Sequence, residues 1–321
     1  MKTSSAAFAP GPSGPGVLIC AFLLFGAPIA AAKPLEAPNA NFKIDVVETS
    51  TAPGRTDYLL KFPSAAKSPW PANDTVWAHL SVPDTARGNR GAAVLILPVM
   101  AAPNVWIETR FVDRFVADGL ITMWIEMPTQ FHRRPHASMP SGQVFLARST
   151  GQLARNFRQS VSDARRAFGV LAARPEVDAK RVALFGISLG AIVGSVTWSV
   201  DRRPAAGVFV MGGADFPGIA LNGSLSGPFV KKMGLKDGEL RTAWAGLDPL
   251  DYQADNAGKK ALLINVNSDT VIPRANALRL KDAFPDSRQV WLPLGHYTAI
   301  LHLLWLPRWV SRRLKESLIA R

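Results

Sequence analysis

The residues best suited to covalent chemistry are Gly186-Ile187-Ser188-Leu189-Gly190, where an apolar run over 182–185 breaks into Gly-x-Ser-x-Gly and continues through the small residues Ala191, Gly194 and Ser195. A buried strand, a tight turn and a closely packed helix give this pattern. Glycines at 186 and 190 suit a turn in which strand and helix back onto each other, pushing the serine hydroxyl out at its tip. The helix that begins after Ser188 offers unpaired N–H groups and the positive end of its dipole to an oxyanion forming beside the serine. Attack on a carbonyl is the chemistry this arrangement favours.

A serine at its ordinary pKa is a poor nucleophile and needs an imidazole to take its proton and a carboxylate to orient that imidazole. Asp269 follows a strand expected at 261–266, in Asn267-Ser268-Asp269-Thr270. His296 follows another at 289–292, in Leu294-Gly295-His296-Tyr297. Both then stand at the carboxyl ends of strands, where ligands collect in open α/β sheets. Asp215, after a strand at 206–211, competes for the acid's place. His302 competes for the imidazole's, although its apolar surroundings suit a core position. His79 falls in a strand far from the serine, whereas His132, with Arg133 and Arg134, occupies the loop after a strand at 120–125, on the serine's side of the sheet.

The elements that hold these residues follow from hydrophobic periodicity. Residues 33–55 read as a lead-in segment with an edge strand at 44–47, and 58–62 and 75–82 as antiparallel strands. From the unbroken apolar run at 93–97 onward, strands and helices alternate, the signature of an α/β sheet. Ile107, Phe111 and Phe115 mark one helix, Leu153, Phe157, Val161 and Phe168 a long amphipathic one, and 273–284 a third. Residues 215–258 are long for a loop and read either as a cap over the site or as a surface excursion. The apolar run 300–306, with Trp309 and Arg312-Arg313 beyond it, reads as a buried helix closing the sheet in preference to a membrane-resting face. The nine tryptophans read mainly as core residues.

Composition bounds the class. With 321 residues, 48% hydrophobic and 19% charged, the chain is globular and not disordered. Lys2, a Pro/Gly/Ser-rich lead and an apolar run over 17–32 ending in Ala30-Ala31-Ala32 have the layout of a secretory signal peptide cut after about Ala32. An uncleaved membrane anchor is the alternative, but the run is short and broken by Gly26 and Pro28. Residues 33–321 then form a single exported domain. The only cysteine of the sequence, Cys20, leaves with the signal, so no disulfide is expected. The balance of 37 Lys plus Arg against 24 Asp plus Glu gives a net charge of +13, but the arginines are scattered in pairs with no basic run interleaved with aromatics. That pattern describes a solvated surface, not a nucleic-acid face.

With Ser188, Asp269 and His296 in this order, residues from about 75 to 310 resemble the α/β-hydrolase superfamily, nearest its serine esterase and dienelactone-hydrolase-like branch. The resemblance rests on the serine elbow, on Asp248-Pro249-Leu250-Asp251-Tyr252 and on Gly295-His296-Tyr297. It implies an eight-stranded, mostly parallel sheet flanked by helices. It also implies hydrolysis through an acyl-enzyme on Ser188, with His296 as general base and acid, Asp269 orienting it, and no metal or organic cofactor. The loop that commonly reads His-Gly in this superfamily is Pro98-Val99-Met100 here. Only its backbone is needed, so the resemblance implies Val99 or Met100, with Leu189, as oxyanion donors; Pro98 has no N–H. Related hydrolases often carry a His/Arg/Pro loop where His132, Arg133 and Arg134 stand, which makes these three a candidate grip for a substrate carboxylate. The expected activity is hydrolysis of a small-molecule carboxylic ester. An amidase or peptidase with the same triad and a non-catalytic binding protein on a hydrolase fold are the alternatives.

Overall fold

The central strands are the chain's unbroken apolar runs. In the computed structural model, which describes Leu35 and residues 41–100, 103–146 and 149–319, they lie in one sheet with the order β1-β2-β3-β5-β4-β6-β7-β8-β9. The leader expected at 1–32 lies outside the described residues. In chain order the elements are β1 (Asp45–Ala52), β2 (Arg55–Pro63), β3 (Thr75–Pro83), β4 (Gly91–Leu97), α1 (Trp106–Ala117), β5 (Ile121–Ile125), α2 (Thr150–Ala172), β6 (Val177–Ile187), α3 (Leu189–Val200) and β7 (Ala206–Val210). Three short helices follow, α4 (Phe216–Asn222), α5 (Gly227–Lys232) and α6 (Asp237–Trp244). The chain then forms β8 (Leu262–Val266), α7 (Arg274–Ala283), β9 (Arg288–Leu292) and α8 (Leu306–Ile319).

Strands β1 to β3 are antiparallel, β3 meets β5 antiparallel, and β5-β4-β6-β7-β8-β9 are parallel throughout. The sheet therefore has nine strands among the described residues, one more than the resemblance implied. The extra one is the edge strand β1, longer than the run at 44–47 suggested and almost wholly exposed.

Side-chain alternation along the parallel strands feeds two cores, one on each face. On β4, Ala93, Leu95 and Leu97 pack toward α2 and α3, while Val94 and Ile96 pack toward α1 and α8. The run at 300–306 departs from expectation. Thr298–Leu304 is a 3-10 segment with Ile300, Leu301 and Leu304 exposed, and the buried helix starts only at Leu306. Pro307 explains the boundary, because it is favoured in a helix's first turn and has no N–H to extend the helix backward. Trp106 and Trp305 are also exposed, whereas Trp124, Trp198 and Trp244 are buried.

Candidate active site

Strand β6 delivers Ser188 into a turn that only glycines permit on either side. A Cβ on Gly186 would lie 2.2 Å from the Gly190 carbonyl oxygen, and one on Gly190 would lie 1.9 Å from the carbonyl oxygen of Leu97. The first contact closes the elbow, and the second presses the start of α3 against the end of β4. Ser188 itself sits at φ 54°, ψ −115°, a region that costs a non-glycine residue energy and that clusters at active sites. Its N–H is anchored to the Val210 carbonyl at 2.8 Å, at the end of the neighbouring strand β7.

The other two expected residues meet the serine. Ser188 Oγ lies 3.0 Å from His296 Nε2, and His296 Nδ1 lies 2.9 Å from Asp269 Oδ2. Asp269 is fixed in turn, its Oδ1 accepting the N–H groups of Val271 at 2.9 Å and Ile272 at 2.8 Å. The loops carrying the acid and the imidazole are stitched together by the Asn267 N–H to Leu292 O and the Ser268 N–H to Leu294 O. Gly295 fits because a Cβ there would lie 2.9 Å from the Ser268 carbonyl oxygen. Nδ1–H donation to the carboxylate leaves Nε2 free to accept the serine proton.

The competitors are placed elsewhere. Asp215 pairs with Arg241 at 2.9 Å, and His302 Nε2 donates to the Pro293 carbonyl at 3.0 Å from a buried position. His79 and His132 share the buried carboxylate of Glu126, at 3.2 and 2.7 Å, and stack on Trp124 and Trp77 respectively.

The end of β4 is held by two residues that sequence reasoning passed over. Val99 donates its N–H to Glu108 Oε1 at 3.0 Å, and its carbonyl accepts from Gln130 Nε2 at 2.7 Å. The Val99 N–H is thus already taken, which leaves Met100 as the donor available from this loop. A trans peptide carries its C=O and N–H on opposite sides. Anchoring the Val99 carbonyl to Gln130 therefore fixes the peptide that carries the Met100 N–H, and Met100 lines the same cavity as Ser188. The Leu189 N–H, first in α3, has no acceptor within its helix. Burial pushes the Glu108 carboxyl above its usual range, against the Val99 N–H that lowers it. A signal for Glu108 existed in the sequence, since it lies one turn before Val112 on the buried face of α1.

The three residues of the basic loop are engaged by other partners. Arg133 is fully buried and pairs with Asp163 at 2.7 Å, also donating to the carbonyls of Glu126 and Asn73. Arg134 donates to the carbonyls of Phe131 and Met139, and His132 is held by Glu126. None of the three lines the cavity that contains Ser188.

That cavity has a volume of about 310 Å³ and walls from both cores. Phe145, Phe157, Phe216 and Trp244 belong to the α2/α3 face, and Ile107, Phe111 and Leu292 to the α1/α8 face. Helices α4 and α6 supply part of the wall, so the segment 215–258 lies over the serine's side of the sheet. The segment is tied across its own ends by the Phe216 N–H donated to Asp248 at 2.8 Å, and to the loop after Asp269 by the Ser224 N–H donated to the Thr270 carbonyl at 2.7 Å. Among the described residues, no group of three or more His, Cys, Asp or Glu side chains is placed to hold a metal ion.

No family model and no curated protein sequence matches the chain. Its fold is shared with solved structures. An acetyl xylan esterase from a Paenibacillus species superposes with a TM-score of 0.62 at 14% identity, over 84% of this chain and 88% of that one. An S-formylglutathione hydrolase from Agrobacterium tumefaciens gives 0.58 at 16%, over 84% and 99%. A glucuronoyl esterase from Solibacter usitatus gives 0.54 at 15%, over 86% and 87%. The chain has the α/β-hydrolase fold.

Proposed function

We propose that this chain is an exported serine hydrolase that cleaves carboxylic esters, with Ser188 as nucleophile. The observation that carries the reading is the unbroken relay from Ser188 Oγ to His296 Nε2 at 3.0 Å and from His296 Nδ1 to Asp269 at 2.9 Å. Ser188 Oγ attacks the ester carbonyl carbon as His296 Nε2 takes the hydroxyl proton, and the oxyanion is held by the Leu189 and Met100 N–H groups. Collapse of that intermediate breaks the bond to the alcohol oxygen, which leaves with the proton from His296. Water then attacks the acyl-serine with His296 as base, releasing the carboxylic acid and restoring Ser188. Asp269 holds the imidazole in the required tautomer and stabilises its protonated form.

The esterases among the structural neighbours support hydrolysis of esters. The signal-peptide layout at 1–32 supports export, with the mature chain starting after about Ala32. The test is a profile of p-nitrophenyl esters of increasing chain length on wild type and Ser188→Ala. The expected result is turnover by wild type with a chain-length optimum, and a loss of about three orders of magnitude or more in Ser188→Ala. Equal turnover by both proteins would overturn the reading.

A further inference from the structure

The mouth of the cavity continues into an apolar surface. Tyr297 and Ile300 line the cavity, yet they are 67% and 46% exposed. Beside them on the 3-10 segment Leu301 is 59% and Leu304 90% exposed, with Trp305 next in the chain at 42%. The segment packs against α1, whose first residue, Trp106, is 44% exposed. A side chain as apolar as Leu304 gains nothing from standing in water, and no internal packing explains it.

The charge around this collar narrows the choice of partner. The Arg110 guanidinium stacks over Trp106 at 5.1 Å, and Arg308 and Arg312 are exposed one turn apart on α8, four and eight residues beyond Leu304. Among the described residues, no carboxylate lies within ion-pair distance of these three arginines. Exposed Trp and Leu next to unneutralised Arg is the chemistry of an interfacial contact with an anionic bilayer. A second copy of the chain fits less well, because a two-fold contact sets the same patch against itself and brings arginine toward arginine on a chain of net charge +13.

We propose that this collar seats on an anionic lipid surface, and that the ester cleaved at Ser188 enters the cavity from that lipid. The docking half stands on the surface alone, and the delivery half rests on the hydrolase reading above. The water-exposed mouth would then be covered during turnover, and the apolar cavity walls would take the ester's hydrocarbon directly from the membrane.

The test is flotation of the full chain, carrying Ser188→Ala so that the vesicles stay intact, with phosphatidylcholine vesicles with and without phosphatidylglycerol, at low and high salt. The expected result is binding to the phosphatidylglycerol vesicles that weakens with salt and falls about ten-fold or more in Leu301→Ser/Leu304→Ser. With Ser188 restored, the double variant should hydrolyse a water-soluble acetate ester as wild type does, since neither leucine lines the cavity. Absence of binding to either vesicle overturns docking. So does equal binding by the double variant, which would put the contact elsewhere, including residues 1–34. A wild-type dimer that the two substitutions disperse, with no vesicle binding, assigns the patch to a second copy and also overturns it. Vesicle binding by a protein that hydrolyses no ester leaves docking intact and removes delivery.

Discussion

Glu108 Oε1 accepts the Val99 N–H at 3.0 Å, from a carboxyl group that is itself buried and has its second oxygen, Oε2, without a partner. This fixes the peptide that precedes Val99, and the Gln130 bond to the Val99 carbonyl fixes the next one, which carries the Met100 N–H. Glu108→Gln keeps an acceptor and is expected to retain most activity. Glu108→Ala releases the Val99 N–H, and kcat should fall by about ten- to a hundred-fold with KM little changed, below the full loss of an oxyanion donor. Steady-state kinetics on one soluble ester checks both. A larger effect on KM than on kcat in Glu108→Ala would contradict the assignment.

Arg133 is expected to have a stability phenotype and no substrate phenotype. Its pair with Asp163 is fully buried, and Ser64 donates to the other oxygen of the same carboxylate at 2.7 Å. Removing one partner leaves a charge buried and unpaired, so Arg133→Ala and Asp163→Ala should each destabilise the fold by about 3 to 5 kcal/mol. Denaturant unfolding measures this. Folded protein of either variant should show unchanged KM values for neutral and anionic esters alike.

The cap segment should carry a pH dependence through Asp248. Burial raises its pKa from 3.8 to about 6, opposed by the N–H groups of Leu250 and Phe216 and aided by the charges of Asp251 and Asp215. The unfolded chain binds this proton less tightly than the folded one. The stabilisation is therefore complete below about pH 4 and is lost as pH rises through about 6, a change of about 3 kcal/mol. Asp248→Asn removes the titration. The difference in unfolding free energy between the two proteins should shift in favour of the variant across that window, whatever constant offset the lost hydrogen bond adds. A difference that stays flat from pH 4 to about 7 would contradict the account.

The elbow glycines should be intolerant of a single methyl group. A Cβ on Gly190 would overlap the Leu97 carbonyl oxygen, which is backbone and cannot rotate away. Gly190→Ala should lose activity by at least about a hundred-fold even where circular dichroism shows a folded chain, because relief requires β4 and α3 to separate at the oxyanion loop. Near-wild-type turnover would show that the turn can relax.

Local pattern made much of this molecule legible. The buried runs at 93–97, 206–211 and 261–266 became β4, β7 and β8 with boundaries within two residues, because strands covered on both faces leave no polar face to blur their ends. Ser188, Asp269 and His296 were legible for a different reason, each following a strand at its carboxyl end. Long-range burial was not legible. Arg133 reads as a loop cation until Asp163 arrives from α2, thirty residues later, to bury it. The place of Glu108 on the apolar face of α1 signals burial, but its partner, the Val99 N–H, comes from another element and leaves no local pattern. The run at 300–306 has the composition of a core helix, and only Pro307 marks where the 3-10 segment ends and that helix begins.

The central claim is that Ser188 is a nucleophile made reactive by His296, and covalent labelling tests it most directly. Wild type, Ser188→Ala and His296→Ala would be treated with a fluorophosphonate, digested, and the modified peptide identified by mass spectrometry. A single adduct on Ser188 is expected in wild type, none in Ser188→Ala, and labelling slowed by at least about a hundred-fold in His296→Ala. An adduct on another residue, or labelling of His296→Ala at the wild-type rate, would contradict it.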